Sequence, residues 1–207
     1  MSILLLEGID GSGKSTVAEK LHWLAQNDCK SVLMLRDPGS TTFGERIRET
    51  VADPDIPLSP MAQTLAFMAA RAQLTATLAA EVHNYDLIIL DRYWPSTIAY
   101  QCFAGGIDRN LVLNVVDETD KKHPEAHIDV HRRFCLMVDP VVAHERRMAE
   151  TERASERFKA AGMAFKQRVA EGYQWMVHQD MLTPIEVGKF TPEEVAKMIY
   201  KRWVSNR

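Results

Sequence analysis

The chain has 207 residues, a formal net charge of −3 at pH 7, and 46% hydrophobic against 26% charged residues. This composition excludes a disordered tail and a collagen-like repeat, and at about 150 residues per domain the length predicts one compact domain over 1–207. The acidic balance argues against a chain that works on nucleic acid or an anionic membrane surface, since both select basic faces.

The first apolar run, Ile3–Leu6, has no basic stretch before it and Glu7 directly after it. It is too short for a signal peptide or a membrane span and reads as a buried strand. Comparable runs recur at Ser31–Leu35, Leu87–Leu90, Phe134–Val138 and Pro184–Val187. Helical periodicity falls at Lys14–Gln26, Thr42–Ala52, Pro60–Val82, Ser96–Ala104, Asp108–Asp117, Val141–Ala149, Ser155–Gln179 and Pro192–Trp203. Short strands with helical crossovers predict an α/β fold: a parallel sheet of about five strands, helices on both faces, and ligands outside the strands' carboxyl ends.

The polar stretch Asp117–Arg133 lacks clean periodicity and reads as surface connection. His123, His127, Asp129 and His131 show no metal-ligand spacing there. Cys29, Cys102 and Cys135 lie far apart with no C-x-x-C pair, which fits a reducing cytoplasm better than a disulfide framework.

Directly after the first strand comes Gly8-Ile9-Asp10-Gly11-Ser12-Gly13-Lys14-Ser15, a complete G-x-x-x-x-G-K-[ST] pattern opening a helix. Backbone amides of such a loop point inward at a helix N-terminus and hold a polyphosphate by fixed dipoles. Gly8, Asp10, Gly11, Ser12, Gly13, Lys14, Ser15 and Thr16 are therefore expected to bind a nucleoside triphosphate. Lys14 would meet the β and γ oxygens. Ser15 would ligate Mg²⁺ with Asp91, which ends the third apolar run.

The loop alone leaves open a kinase, an NTPase motor, a GTPase switch and a binding module. Arginines narrow the choice. Arg36 and Arg92 follow strand ends, and Arg71, Arg153 and Arg157 add further guanidinium groups. A second anionic substrate needs such forks, because they grip phosphate bidentately and stay charged when desolvated. Arg46, Arg48, Arg146 and Arg147 read as solvated surface. Asp10 sets a carboxylate beside a phosphate site, which is costly unless it meets a cation or a hydroxyl donor.

Taken in order, E-G-I-D-G-S-G-K-S-T, R-D-P-G-S-T-T-F-G-E-R-I-R, F-M-A-A-R and D-R-Y-W-P-S-T-I-A-Y-Q resemble the motifs of the thymidylate kinase family over residues 3–101. The likeness resumes at L-M-V-D-P and at E-R-F-K-A-A-G-M-A-F-K-Q-R-V-A-E-G-Y. The resemblance implies a P-loop kinase three-layer fold with a short lid near 150–160. It also implies ATP as donor, Mg²⁺, dTMP as acceptor, no nucleic-acid or membrane partner, and a homodimer through the long helices.

Residue by residue, it implies that Arg36 and Arg92 hold the acceptor phosphate and that Asp10 meets the sugar 3′-hydroxyl or braces Arg92. Phe67 would stack on the pyrimidine and Arg71 donate to a ring carbonyl. Tyr100 would pack at the 2′ edge of the sugar, with Ser96, Thr97 and Gln101 making polar contacts. Arg153 and Arg157 would close over the triphosphate, Arg153 meeting the transition-state charge, because Gly11 stands where some relatives carry a basic residue.

The chain departs from the family's R-E-P-G-G at Asp37 and Ser40, which shortens a carboxylate and adds a Cβ. The expected reaction is transfer of the ATP γ-phosphoryl to dTMP, giving dTDP and ADP. A different acceptor, such as dGMP or a 5-modified dUMP, and a non-kinase NTP-binding switch remain the rival readings.

Overall fold

The computed structural model describes residues 2–28, 30–149 and 162–205. The apolar runs become β1 (Ser2–Glu7), β2 (Val32–Arg36), β3 (Leu87–Asp91), β4 (Arg133–Met137) and β5 (Thr183–Glu186). They form one five-stranded sheet in the order β2-β3-β1-β4-β5, and every pairing is parallel. β1 is the middle strand, and all six of its residues are buried. A strand covered on both faces has no polar face to alternate with, which is why the run is continuously apolar.

Side-chain alternation along β1 sorts the core into two layers. Ile3 and Leu5, with Ile88 and Leu90 of β3, face one cluster, and Leu4 and Leu6, with Leu87 and Ile89, face the other. The second layer is built on α1 (Lys14–Asn27) and the last helix, α8 (Pro192–Ser205). The first is built on α3 (Pro60–Glu81), α4 (Trp94–Thr97, continuing as a π-helix over Ile98–Ala104), α5 (Arg109–Lys122) and α7 (Met163–His178). Two shorter helices, α2 (Thr42–Ala52) and α6 (Pro140–Ala149), follow the carboxyl ends of β2 and β4.

α7 crosses α4 at close range because Gly172 carries no side chain. A Cβ there would lie 2.8 Å from the Ala99 Cα.

Two expectations from the sequence are revised. The helix drawn to Asp117 runs on to Lys122. Lys121 bridges back to Asp117 at 2.7 Å and to Glu118 at 3.0 Å, which adds local support to a stretch whose inward face, Thr119 and Asp120, is polar and leaves no apolar period. The stretch beyond it is not wholly surface. It makes 3₁₀ turns at Pro124–Ala126 and Val130–Arg132 and buries Ala126 and Ile128. The lid expected near 150–160, with Arg153 and Arg157, lies outside the described residues. Among the described residues, no helix is long and apolar enough to cross a membrane.

Candidate active site

β1 delivers the glycine-rich loop at its carboxyl end, and α1 starts at Lys14 with Gly13 as N-cap and no side-chain cap. The amides of that first turn are left for a ligand. Lys14 is buried, and its Nζ donates to the carbonyls of Gly8 and Ile9 at 2.9 Å each and to Ser12 Oγ at 3.4 Å. Burial, then the charge of Arg92, pulls its pKa down to about 8 against Asp10, Asp91 and Glu7.

Ser15 Oγ donates to Asp91 Oδ2 at 3.1 Å. Among the described residues, the other carboxylate oxygen of Asp91 is buried without a hydrogen-bond partner. Thr16 is exposed on the first turn of α1. Gly11 has φ 84°, and a Cβ there would stand 2.1 Å from the Ala143 carbonyl of α6. The glycine lets α6 lie directly on the loop.

Beside the loop opens a cavity of about 220 Å³. Asp10, Arg92, Ser96 and Tyr100 line the part next to the loop, and Phe67, Arg71, Thr97 and Gln101 also line the cavity. Phe67 and Arg71 lie four residues apart on α3, on one face of the helix.

Arg92 has φ 70°, a conformation that disfavours a side chain, so its surroundings must hold it there. Its backbone N–H donates to the Leu6 carbonyl at 3.0 Å. Nη2 pairs with Asp10 at 2.5 Å and reaches Tyr100 Oη at 3.4 Å, while the guanidinium lies over the Tyr100 ring. Nη1 donates to Ser96 Oγ at 2.9 Å and to the Gly8 carbonyl and Tyr173 Oη at 3.2 Å each. Burial works to raise the Asp10 carboxyl, but the charges of Arg92 and Lys14 outweigh it and hold the group below its ordinary value.

Beneath this network sits Glu7, fully buried, a residue the sequence reading took only as the end of a strand. Its Oε1 accepts from the Tyr93 N–H at 2.7 Å, and its Oε2 from Ser96 Oγ and Tyr173 Oη at 2.8 Å each. Burial raises its pKa against the charge of Arg92 and these hydrogen bonds. No local pattern marks such an acid. Its only signal is a carboxylate closing a run that is otherwise apolar.

Arg71 Nε pairs with Asp37 Oδ2 at 2.6 Å, with both side chains buried. Among the described residues, Arg71 Nη1 and Asp37 Oδ1 are buried without hydrogen-bond partners. Burial pushes the Asp37 carboxyl up, against the charge of Arg71. The shortened carboxylate at 37 thus still reaches α3. The serine at 40 takes φ 61°, and its hydroxyl accepts the Arg36 N–H at 2.8 Å.

Arg36 does not line the cavity. Its Nη2 donates to both oxygens of Glu45 at 3.0 and 2.9 Å. The guanidinium from this segment that does line it is Arg48, anchored to the Pro38 carbonyl at 3.2 Å, and Arg147 of α6 lines it as well. Both had read as ordinary surface charges, because helical periodicity cannot show which exposed arginine borders a cavity. Lys166 of α7 and His144 of α6 complete that wall, with Nζ and Nδ1 2.9 Å apart.

Backbone amides left open at one helix start, and a cavity faced with cations beside them, suit the two phosphorylated substrates of a nucleoside monophosphate kinase. The family model described as thymidylate kinase matches residues 6–199. The chain is 30% identical over 187 residues to the thymidylate kinase of Chlorobium limicola, covering 86% of this chain and 83% of that protein. It is 31% identical to that of Chlorobaculum tepidum (83% and 81% covered) and 28% identical to that of Chlamydia felis (82% and 81% covered). The chain belongs to the thymidylate kinase family.

Proposed function

We propose that this enzyme moves the γ-phosphoryl group of ATP onto dTMP, giving dTDP and ADP. An acceptor phosphate oxygen attacks the γ-phosphorus, the bond to the β–γ bridging oxygen breaks, and ADP leaves. The acceptor phosphate is already ionised at neutral pH, so no strong base is needed. Alignment and charge neutralisation carry the rate.

The loop from Gly8 to Thr16 holds the triphosphate through its amides and Lys14. Arg92 and Arg48 hold the acceptor phosphate, while Arg36 braces the turn after β2 through Glu45. Asp10 keeps Arg92 in place and takes the sugar 3′-hydroxyl, and Tyr100 closes the 2′ edge. Phe67 stacks on the base. The unsatisfied Nη1 of Arg71 donates to a ring carbonyl, and Thr97 and Gln101 supply the remaining polar lining. By the family resemblance, Arg153 and Arg157 close over the triphosphate.

The Ser15 hydroxyl and the Asp91 carboxylate, whose Oδ1 is buried without a partner among the described residues, suit Mg²⁺ with its water shell. That ion would neutralise charge on the β and γ oxygens.

The observation that carries the reading is the cavity: a stacking ring and an unsatisfied guanidinium on α3, with an arginine–aspartate pair beside the phosphate loop. The test is a panel of monophosphates incubated with ATP. Transfer to dTMP well above dUMP, dCMP and dGMP is expected. Preference for a purine would overturn the base assignment, and nucleotide binding without any transfer would favour a switch.

We also place the enzyme in the reducing cytoplasm, where the buried thiols of Cys102 and Cys135 stay unpaired. It works as a homodimer through its long helices, for which Met61 and Leu65, one turn apart and exposed on α3, supply apolar surface.

A further inference from the structure

We infer that Glu7 is a positioning residue for phosphoryl transfer: through the hydroxyls of Ser96 and Tyr173, its carboxylate turns the strained Arg92 toward the acceptor phosphate. The inference rests on the kinase reading above. Glu7 does not line the cavity and touches no nucleotide site, so its effect must pass through other groups.

Charge and distance set the proton directions around the Glu7 carboxylate. Glu7 Oε1 faces the Tyr93 N–H, which can only donate. Oε2 lies 2.8 Å from two hydroxyls with one hydrogen each; these hydroxyls are also 3.0 Å from one another, but the charged oxygen is the nearer and stronger acceptor, so Ser96 and Tyr173 both donate to it. Their lone pairs are then what Arg92 Nη1 meets at 2.9 and 3.2 Å. The negative charge on Glu7 thus makes two hydroxyls into acceptors and points them at the guanidinium. The Tyr93 N–H bond also pins the peptide directly after Arg92, where the left-handed backbone needs support. Glu7 therefore ties together the end of β1, the turn after β3, α4 and α7 at the point where Arg92 emerges.

Replacing the carboxylate by an amide of the same shape reverses the relay. Glu7→Gln must keep its oxygen on the Tyr93 N–H, which leaves an NH₂ facing Ser96 and Tyr173. The hydroxyls now accept from it, and since only one of their two hydrogens can be shared between them, the other turns toward the guanidinium. The fold keeps its volume, and Arg92 loses its aim.

The experiment compares wild type with Glu7→Gln, Tyr173→Phe and the double variant, by steady-state kinetics in both substrates and by ¹⁵N NMR of the Arg92 guanidinium, assigned from Arg92→Lys. A misplaced cation costs on the order of 100-fold. The expected result is a fall of about that size in kcat/KM for dTMP in Glu7→Gln, with KM for ATP within about twofold. Slow Nη rotation at Arg92 in wild type should become averaged in the variant. The double variant should lose little more than the worse single one, because the groups act as one unit.

Three results each overturn the inference: an unchanged Arg92 signal in Glu7→Gln, a KM for ATP raised well beyond twofold, or losses that multiply in the double variant. If wild type fails to phosphorylate dTMP, the acceptor assignment falls, and the Arg92 signal alone decides the role of Glu7.

Discussion

A single carbonyl shows how tightly charges are arranged at the site: Gly8 accepts from Lys14 and from Arg92 at once. With its pKa held near 8, Lys14 in the free protein gives up its proton as the pH rises through that value. Affinity for ATP should therefore be level below about pH 7 and decline above pH 8, as calorimetry across that range would show. Lys14→Ala and Arg92→Ala should each largely abolish transfer while leaving the fold intact, as circular dichroism would show. Arg71 carries a different burden, since removing it leaves Asp37 charged, buried and unpaired. Arg71→Ala should cost about 3–5 kcal/mol in denaturant unfolding, and adding Asp37→Asn should recover much of that. The placement of Lys14 and Ser15 at the start of a helix behind a glycine-rich loop was legible from spacing alone, because the loop pattern is local. The surroundings of Glu7 and Arg48 were not, because other elements bring their partners to them. Arg36 follows a strand end as Arg92 does, but a glutamate nine residues on occupies its guanidinium.

Among elements, two glycines decide how closely neighbours approach. Gly172 lets α7 meet α4, so Gly172→Ala should force the helices apart at a cost of about 1–3 kcal/mol in chemical denaturation. It should also loosen Tyr173 from Arg92. Gly11 lets α6 rest on the phosphate loop, and any side chain there strikes the Ala143 carbonyl. Gly11→Arg should weaken ATP binding by displacing α6, which a rise in KM for ATP would register. The five strands and the long helix α3 were evident from apolar runs and period. The final turns of α5 were not, because the face they turn inward is the polar pair Thr119 and Asp120, with exposed ion pairs of Lys121 on the other side. The π-helix that carries Tyr100 and Gln101 along the cavity also leaves no periodic trace, since its wider turn depends on packing against α7.

For the whole molecule, the exposed apolar residues of α3 make a prediction about assembly. Sedimentation should give a dimer, and Leu65→Glu should shift it toward monomer, because a charge on an apolar contact costs far more than one on an open surface. The parallel sheet with β1 at its centre brings the loop and Arg92 to the same edge, with Leu6 and Asp91 in register. Their meeting at the Gly8 oxygen has a thermodynamic consequence. A triphosphate that draws Lys14 off that oxygen leaves it to Arg92 alone, so each nucleotide should tighten the other. Whatever factor ATP lends to dTMP, dTMP must return to ATP, since a closed cycle of equilibria permits no other ratio.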